Sequence, residues 1–128
     1  MGEIDEKSSI YINNLQTLRK NIQVVEGSFG EFGLEVTGTG CNFSRFMGGN
    51  GAEFFIEVAG NKAFETPEDV QIKVNVYNAD NGILASGYEK IKLKGKIYCE
   101  TYRIVTIGKE VWGSAVKAKV FLSRDNSF

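Results

Sequence analysis

At 128 residues, with 42% hydrophobic residues and a formal net charge of −1, the chain reads as one domain of ordinary globular composition. A domain of that size buries about two thirds of its unfolded surface, so its stability requires neither a disulfide framework nor a metal. The near-zero charge excludes a strong field that would gather nucleic acid or an anionic membrane, and the lack of any histidine removes the commonest general base, the usual catalytic triads and most zinc sites.

Along the chain, Tyr11, Leu15, Leu18 and Ile22 recur at spacings of four, three and four. The spacing predicts a short helix over 8–22 with Ser8 or Ser9 as N-cap, serving to cover an open end or edge of a sheet. From Ile22 the period changes to two. Ile22–Val25 reads as a strand, Gly27–Gly33 as a turn holding Phe29 and Phe32, and Leu34–Thr37 as a strand. Gly38 and Gly40 suggest a bulge. Asn42–Ala52, with Gly48-Gly49-Asn50-Gly51 at its tip, reads as a flexible loop.

Glu53–Val58 is a strand with Phe54, Ile56 and Val58 on one face. Val70–Leu84 is the clearest signal: Val70, Ile72, Val74 and Val76 face in while Gln71, Lys73, Asn75 and Tyr77 face out. The chain then turns at Asp80-Asn81-Gly82 and returns through Ile83-Leu84-Ala85. Ile91, Leu93 and Ile97–Ile107 supply further strands. Gly108–Gly113 is a turn containing Trp112, and Val116, Ala118, Val120 and Leu122 form the last inward set. The expectation is an all-β, immunoglobulin-like antiparallel β-sandwich of about seven or eight strands, estimated from turn spacing. Residues 22–128 would form it, with a helical extension over 1–21.

Two segments carry a resemblance. Asn21–Asn42, with its strand, short turn and glycine-punctuated second strand, and Val74-Asn75-Val76-Tyr77-Asn78 with the hairpin that follows, are similar to FxLYD-type immunoglobulin-like domains. Tyr77 keeps the motif's tyrosine; Val74, Val76 and Asn78 replace its aromatic, leucine and aspartate. The resemblance spans roughly Ile22 to Leu122. It implies an immunoglobulin-like module, usual in bacterial or archaeal proteins, without established catalysis, and supplies no functional residues.

The sequence offers few chemical motifs. Glu53 and Glu57 flank Phe55 on one strand face, but Cα atoms four strand residues apart stand roughly 13 Å from each other, too far to share acid and base roles. Asn78–Gly82 places Ile83 where a calcium-binding EF-hand needs glycine, and Gly38-x-Gly40 meets Phe43 where a dinucleotide fingerprint needs glycine. Asn42-Phe43-Ser44 is a glycosylation triplet of the kind that arises by chance. Cys41 and Cys99 lie in no C-x-x-C pair and are expected to be free thiols. No cofactor or metal is expected. No apolar run reaches the roughly 18 residues of a membrane span. The first ten residues lack the basic and apolar regions of a signal peptide, which makes the cytoplasm the expected compartment.

Two candidate contact regions remain. One is the glycine-rich loop with Phe43, Arg45, Phe46 and Met47, where apolar side chains beside glycines give an adaptable contact. The other is Lys90, Lys92, Lys94 and Lys96, which at period two project from one strand face. They would either protect an edge strand or meet an anion, with Tyr88, Tyr98, Tyr102 and Trp112 near them. The expected function is a non-enzymatic module that binds another protein or spaces domains. The alternative is a single-stranded nucleic-acid-binding barrel of OB type using the lysine and tyrosine face.

Overall fold

The computed structural model describes residues 9–43, 51–60, 63–96, 99–108 and 111–124. The first element, α1 (Ser9–Lys20), buries Leu15 and Leu18 along the predicted stripe and ends on Arg19 and Lys20, cations suited to a helix C-terminus. The Asn21 backbone N–H donates to the Leu18 carbonyl (3.0 Å) and its side-chain amide to the Thr17 carbonyl (2.8 Å), satisfying carbonyls the helix leaves open. Ile22 does not extend the stripe; it opens β1 (Ile22–Val24).

The predicted turn at Gly27–Gly33 is instead a short helix, α2 (Glu26–Gly30), followed by a turn that ends on Gly33 with φ of 69°. Glycine disfavours helix, but Phe29 within α2 and Phe32 in the turn that follows are both buried. Burying two aromatic rings contributes more than the glycines cost, about 1 kcal/mol each.

Seven strands follow the all-β expectation. β2 (Leu34–Phe43), β3 (Gly51–Gly60), β4 (Ala63–Tyr77), β5 (Ile83–Lys96), β6 (Glu100–Gly108) and β7 (Lys117–Arg124) join β1 in one sheet of order β1-β7-β4-β5-β6-β3-β2. The expected bulge lies between Val36 and Gly38. The expected loop over Asn42–Ala52 is shorter than its composition suggests. Asn42 and Phe43 belong to β2, Gly51 and Ala52 to β3, and Phe43 pairs with Ala52. The expected turn at Gly108–Gly113 contains α3 (Val111–Ser114), whose Val111 is buried. Val116 precedes β7 and is half-buried, whereas Ala118, Val120 and Leu122 are buried as expected.

Among the described residues every pairing is antiparallel but one: β1 runs parallel to β7, with Ile22 opposite Ala118 and Val24 opposite Val120. This departs from the wholly antiparallel expectation. The β4–β5 hairpin joins two bands, β1-β7-β4-β5 and β6-β3-β2. Among the described residues their registered link is Ala85 to Gly108 and Ser86 to Ile107. Inward residues of both bands, Val70, Val74 and Val120 from one and Phe54, Ile56 and Ile104 from the other, form a single core cluster. The sheet is therefore folded over on itself at the β5–β6 link.

Helices bridge the two ends of the strand order, reaching β2 at one end and β7, the neighbour of β1, at the other. Both α1 and α2 lie against β2 and β7. The Arg19 Nε donates to the Cys41 carbonyl (2.7 Å), while the Leu122 N–H donates to Ser28 Oγ (3.0 Å). The expected covering role of the N-terminal helix is met, with α2 sharing it. No helix among the described residues is long and apolar enough to cross a membrane.

Candidate functional site

Alternation fixes which side chains β4 turns away from the core. Val70, Ile72, Val74 and Val76 are buried, so Gln71, Lys73, Asn75 and Tyr77 occupy the outer face, and residues opposite them share that face. Read across from β7 through β4 to β5, the rows are Lys117–Tyr77–Ile83, Lys119–Asn75–Ser86, Phe121–Lys73–Tyr88 and Ser123–Gln71–Lys90. A last pair is Asp69–Lys92.

Lys117, Lys119, Lys73, Lys90 and Lys92 thus fall on a diagonal, one per row, crossing three strands. Rows lie about 6.7 Å apart and strands about 4.8 Å apart, so the diagonal is about 28 Å long. Among the described residues these rows place five lysines and one carboxylate, Asp69, in a chain whose net charge is −1. The Asp69–Lys92 pair is 3.1 Å long and open to solvent, worth about 0–1 kcal/mol. The Lys117 and Lys119 ammonium groups stand 5.5 and 5.6 Å from the Tyr77 ring centroid, and Lys117 also donates to Asn81 Oδ1.

Beside the diagonal lie the most exposed apolar side chains described. Ile83 and Ile107 are each 63% exposed and Tyr88 is 58% exposed. Ile83 is opposite Tyr77, Tyr88 opposite Lys73, and Ile107 opposite Ser86. All three stand on the outer face, toward β5 and β6. The face therefore has a cationic diagonal and an apolar margin.

Of the sequence-predicted lysines, Lys90 and Lys92 belong to this face. Lys94 is exposed on the same parity, but Gly95 has a φ of 63° and β4 bulges between Phe64 and Glu68. Lys96, opposite Ala63, is thus not a fourth member of one straight row. β5 lies inside the strand order rather than at its end, yet from Gly87 to Lys96 its registered partner is β4 alone. Lysine on such a half-paired strand matches the edge-protection reading. Gln71, expected to face water, is on the outer face but buried, because β4 is flanked there by Lys90 of β5 and Ser123 of β7.

Two expected contacts are corrected. Phe43 is 3% exposed and inward, part of the core rather than of a contact loop. Tyr102 is opposite Ile56 and packs against the core, so it does not join an aromatic surface; burial, with the Glu100 charge, pushes its hydroxyl pKa up. Arg45, Phe46, Met47 and Tyr98 and the Trp112 side chain lie outside the described residues. Sequence reasoning missed Lys73, Lys117 and Lys119 as partners of Lys90 and Lys92. Each sits singly or in a pair in its own segment, and only the register brings them together.

Elsewhere, Glu53 pairs with Arg103 (2.8 Å), which holds the guanidinium pKa up, and Glu57 accepts from Thr37 Oγ1 (2.7 Å). Among the described residues no three cysteine, aspartate or glutamate side chains group as metal ligands would. Cys41 is buried and Cys99 exposed, and both are free thiols. Burial pushes the Cys41 thiol up to about 12, against the opposing pull of Arg19.

No protein-family model matches the chain, and no curated protein does. Among solved structures it is similar to Campylobacter jejuni cj0090, with 11% identity, a TM-score of 0.43, and coverage of 82% of this chain and 98% of that one. It is also similar to part of a β-glucuronidase from glycoside hydrolase family 2, with 8% identity, a TM-score of 0.41, and coverage of 65% of this chain and 10% of that one. A family 2 glycosyl hydrolase from Bacteroides cellulosilyticus gives 8% identity and a TM-score of 0.34 over 59% of this chain and 13% of that one. At these scores the likenesses carry no assignment of activity.

Proposed function

We propose that this β-rich domain is a non-enzymatic module that works by binding another protein, and that its contact surface is the outer face of β7, β4 and β5. The carrying observation is the coincidence on one face of the lysine diagonal with Ile83, Tyr88 and Ile107. Protein interfaces combine an apolar patch with charged surroundings, whereas a mere spacer has no use for three open apolar side chains in one place. The sequence's lack of histidine supports the non-enzymatic part of the reading, as does the engagement of Glu53 by Arg103 and of Glu57 by Thr37. The FxLYD-type, immunoglobulin-like affiliation belongs to the same proposal and rests on the Val74–Leu84 hairpin.

The test is site-specific photo-crosslinking in the cells that make the protein. A photoreactive residue at Tyr88 is expected to give one discrete protein adduct, lost in the Lys73→Glu/Lys119→Glu double variant. The same residue at Thr39, on the β2 strand, is expected to give none. Equal adducts from both positions, or no adduct from Tyr88, would overturn the reading.

A further inference from the structure

We infer that the partner presents an extended acidic segment, with carboxylates at alternate positions and apolar side chains along one margin, which lies along the Lys117–Lys92 diagonal. The inference rests on the protein-binding reading above and adds the chemistry of the ligand.

Three observations carry it. First, the cations form a line. Lys117 and Lys119 are two residues apart on one strand, as are Lys90 and Lys92, and Lys73 joins the pairs across the strands. Neighbours along the line are about 6.7 to 8 Å apart. Carboxylates at every second residue of an extended chain repeat at about 6.7 Å, so about nine consecutive residues, about five of them acidic, span the whole line.

Second, the cations are lysines. No arginine stands in these rows, so recognition is by point charges spaced along the line and not by the bidentate fork that fits carboxylate and phosphate alike.

Third, the apolar margin discriminates between polyanions. Single-stranded nucleic acid needs open ring faces on which bases stack. Tyr77 already carries two ammonium groups close to its ring, and two of the three exposed apolar side chains are isoleucines. Aliphatic side chains contact leucine, valine or phenylalanine of a peptide and give little to a base. The balance favours polypeptide.

The experiment uses the full chain and fluorescence anisotropy with three labelled probes: a peptide alternating glutamate with leucine and threonine, the same peptide with lysine for glutamate, and a short oligo(dT). The acidic peptide is expected to bind at low salt and weaken as salt rises, while the lysine peptide does not bind. Lys73→Glu/Lys119→Glu is expected to weaken the acidic peptide by about tenfold or more. Ile83→Ser/Ile107→Ser is expected to weaken it about threefold or more with the salt dependence unchanged. All four positions are on the outer face, and thermal melts of the variants establish that they fold.

Oligo(dT) bound as tightly as the acidic peptide would overturn the inference, as would an acidic peptide that does not bind or ignores the lysine reversals. If these fail while the Tyr88 crosslink persists, protein binding stands and only the acidic segment falls. Loss of the crosslink removes both.

Discussion

Gly108 lies opposite Ala85 and Gly87 follows the Ser86–Ile107 pair at the fold of the sheet, with no room for a side chain on either glycine. A Cβ built on Gly108 would lie 1.7 Å from the Leu84 carbonyl oxygen, and one on Gly87 would lie 2.1 Å from that of Val105. Both obstacles are backbone, which cannot rotate out of the way. The two glycines let β5 and β6 touch at Ala85 and Ser86, the link about which the bands close over one core.

Gly108→Ala and Gly87→Ala are therefore expected to destabilise the domain by about 3 kcal/mol or more, at or beyond the upper range for overpacking. Gly30→Ala in α2 meets nothing within 4 Å and is expected to stabilise by about 0.5–1 kcal/mol. Urea unfolding of the three variants measures the contrast, and similar midpoints would refute it.

The β4–β5 turn depends on one side chain. Asn78 Oδ1 accepts from the N–H of Asp80 (3.0 Å) and of Gly82 (2.8 Å), and Asn81 sits at a φ of 63°. Asn78→Ala is expected to cost about 1–2 kcal/mol through the two lost bonds. Asn81→Val is expected to cost about as much through backbone strain, while Asn81→Gly stays within about 0.5 kcal/mol of the parent. Thermal melts check the order.

The two thiols are expected to react very differently. Cys41, held up to about 12 by burial, should resist alkylation at pH 8 until the protein unfolds. Its stabilising share is complete below the ordinary value of 9.0 and is lost as pH rises toward the folded value, so Cys41→Ala should flatten the alkaline decline in stability. Cys99 is exposed, but partial loss of hydration and then Glu57, by charge and as hydrogen-bond acceptor, hold its thiol up, with Glu100 adding to this. Glu57→Gln should therefore speed labelling of Cys99 at pH 8. Stopped-flow thiol titration reads both; prompt labelling of two thiols in the native state would contradict the account.

Ser28 joins α2 to the last strand. Its Oγ donates to the Val25 carbonyl (2.6 Å) and accepts from the Leu122 N–H (3.0 Å). Ser28→Ala is expected to cost about 1–3 kcal/mol, because a backbone N–H loses its partner. Hydrogen exchange at Leu122 should accelerate more than at Val74, in the middle of β4; equal protection would show that the bond is dispensable.

What the sequence revealed follows physical lines. The Val70–Val76 alternation and the Asn81-Gly82 turn were legible because period and turn chemistry are local, and the structure buries the predicted residues. The Leu15–Leu18 stripe was legible for the same reason. α2 was not: glycine at three positions between Gly27 and Gly33 argues for a turn, and only the core that receives Phe29 and Phe32 reverses it. Phe43 was misplaced because a phenylalanine beside a glycine-rich stretch looks like loop until its opposite neighbour, Ala52, is known. The lysine diagonal was half visible. Lys90 and Lys92 announce themselves by spacing, but Lys73, Lys117 and Lys119 join them only through the β4–β7 register, whose pairs run from Tyr77–Lys117 to Lys73–Phe121 and join distant parts of the sequence.

The parallel union of Ile22–Val24 with Ala118–Val120 also sets a schedule for biosynthesis. β7 slots between β1 and β4, so a nascent chain leaving the ribosome can form the β4–β5 hairpin early but cannot complete its sheet until Lys117–Arg124 emerge. Until then Val74 and Val76 lack their partners Val120 and Ala118, and that edge of β4 stays open to pairing elsewhere.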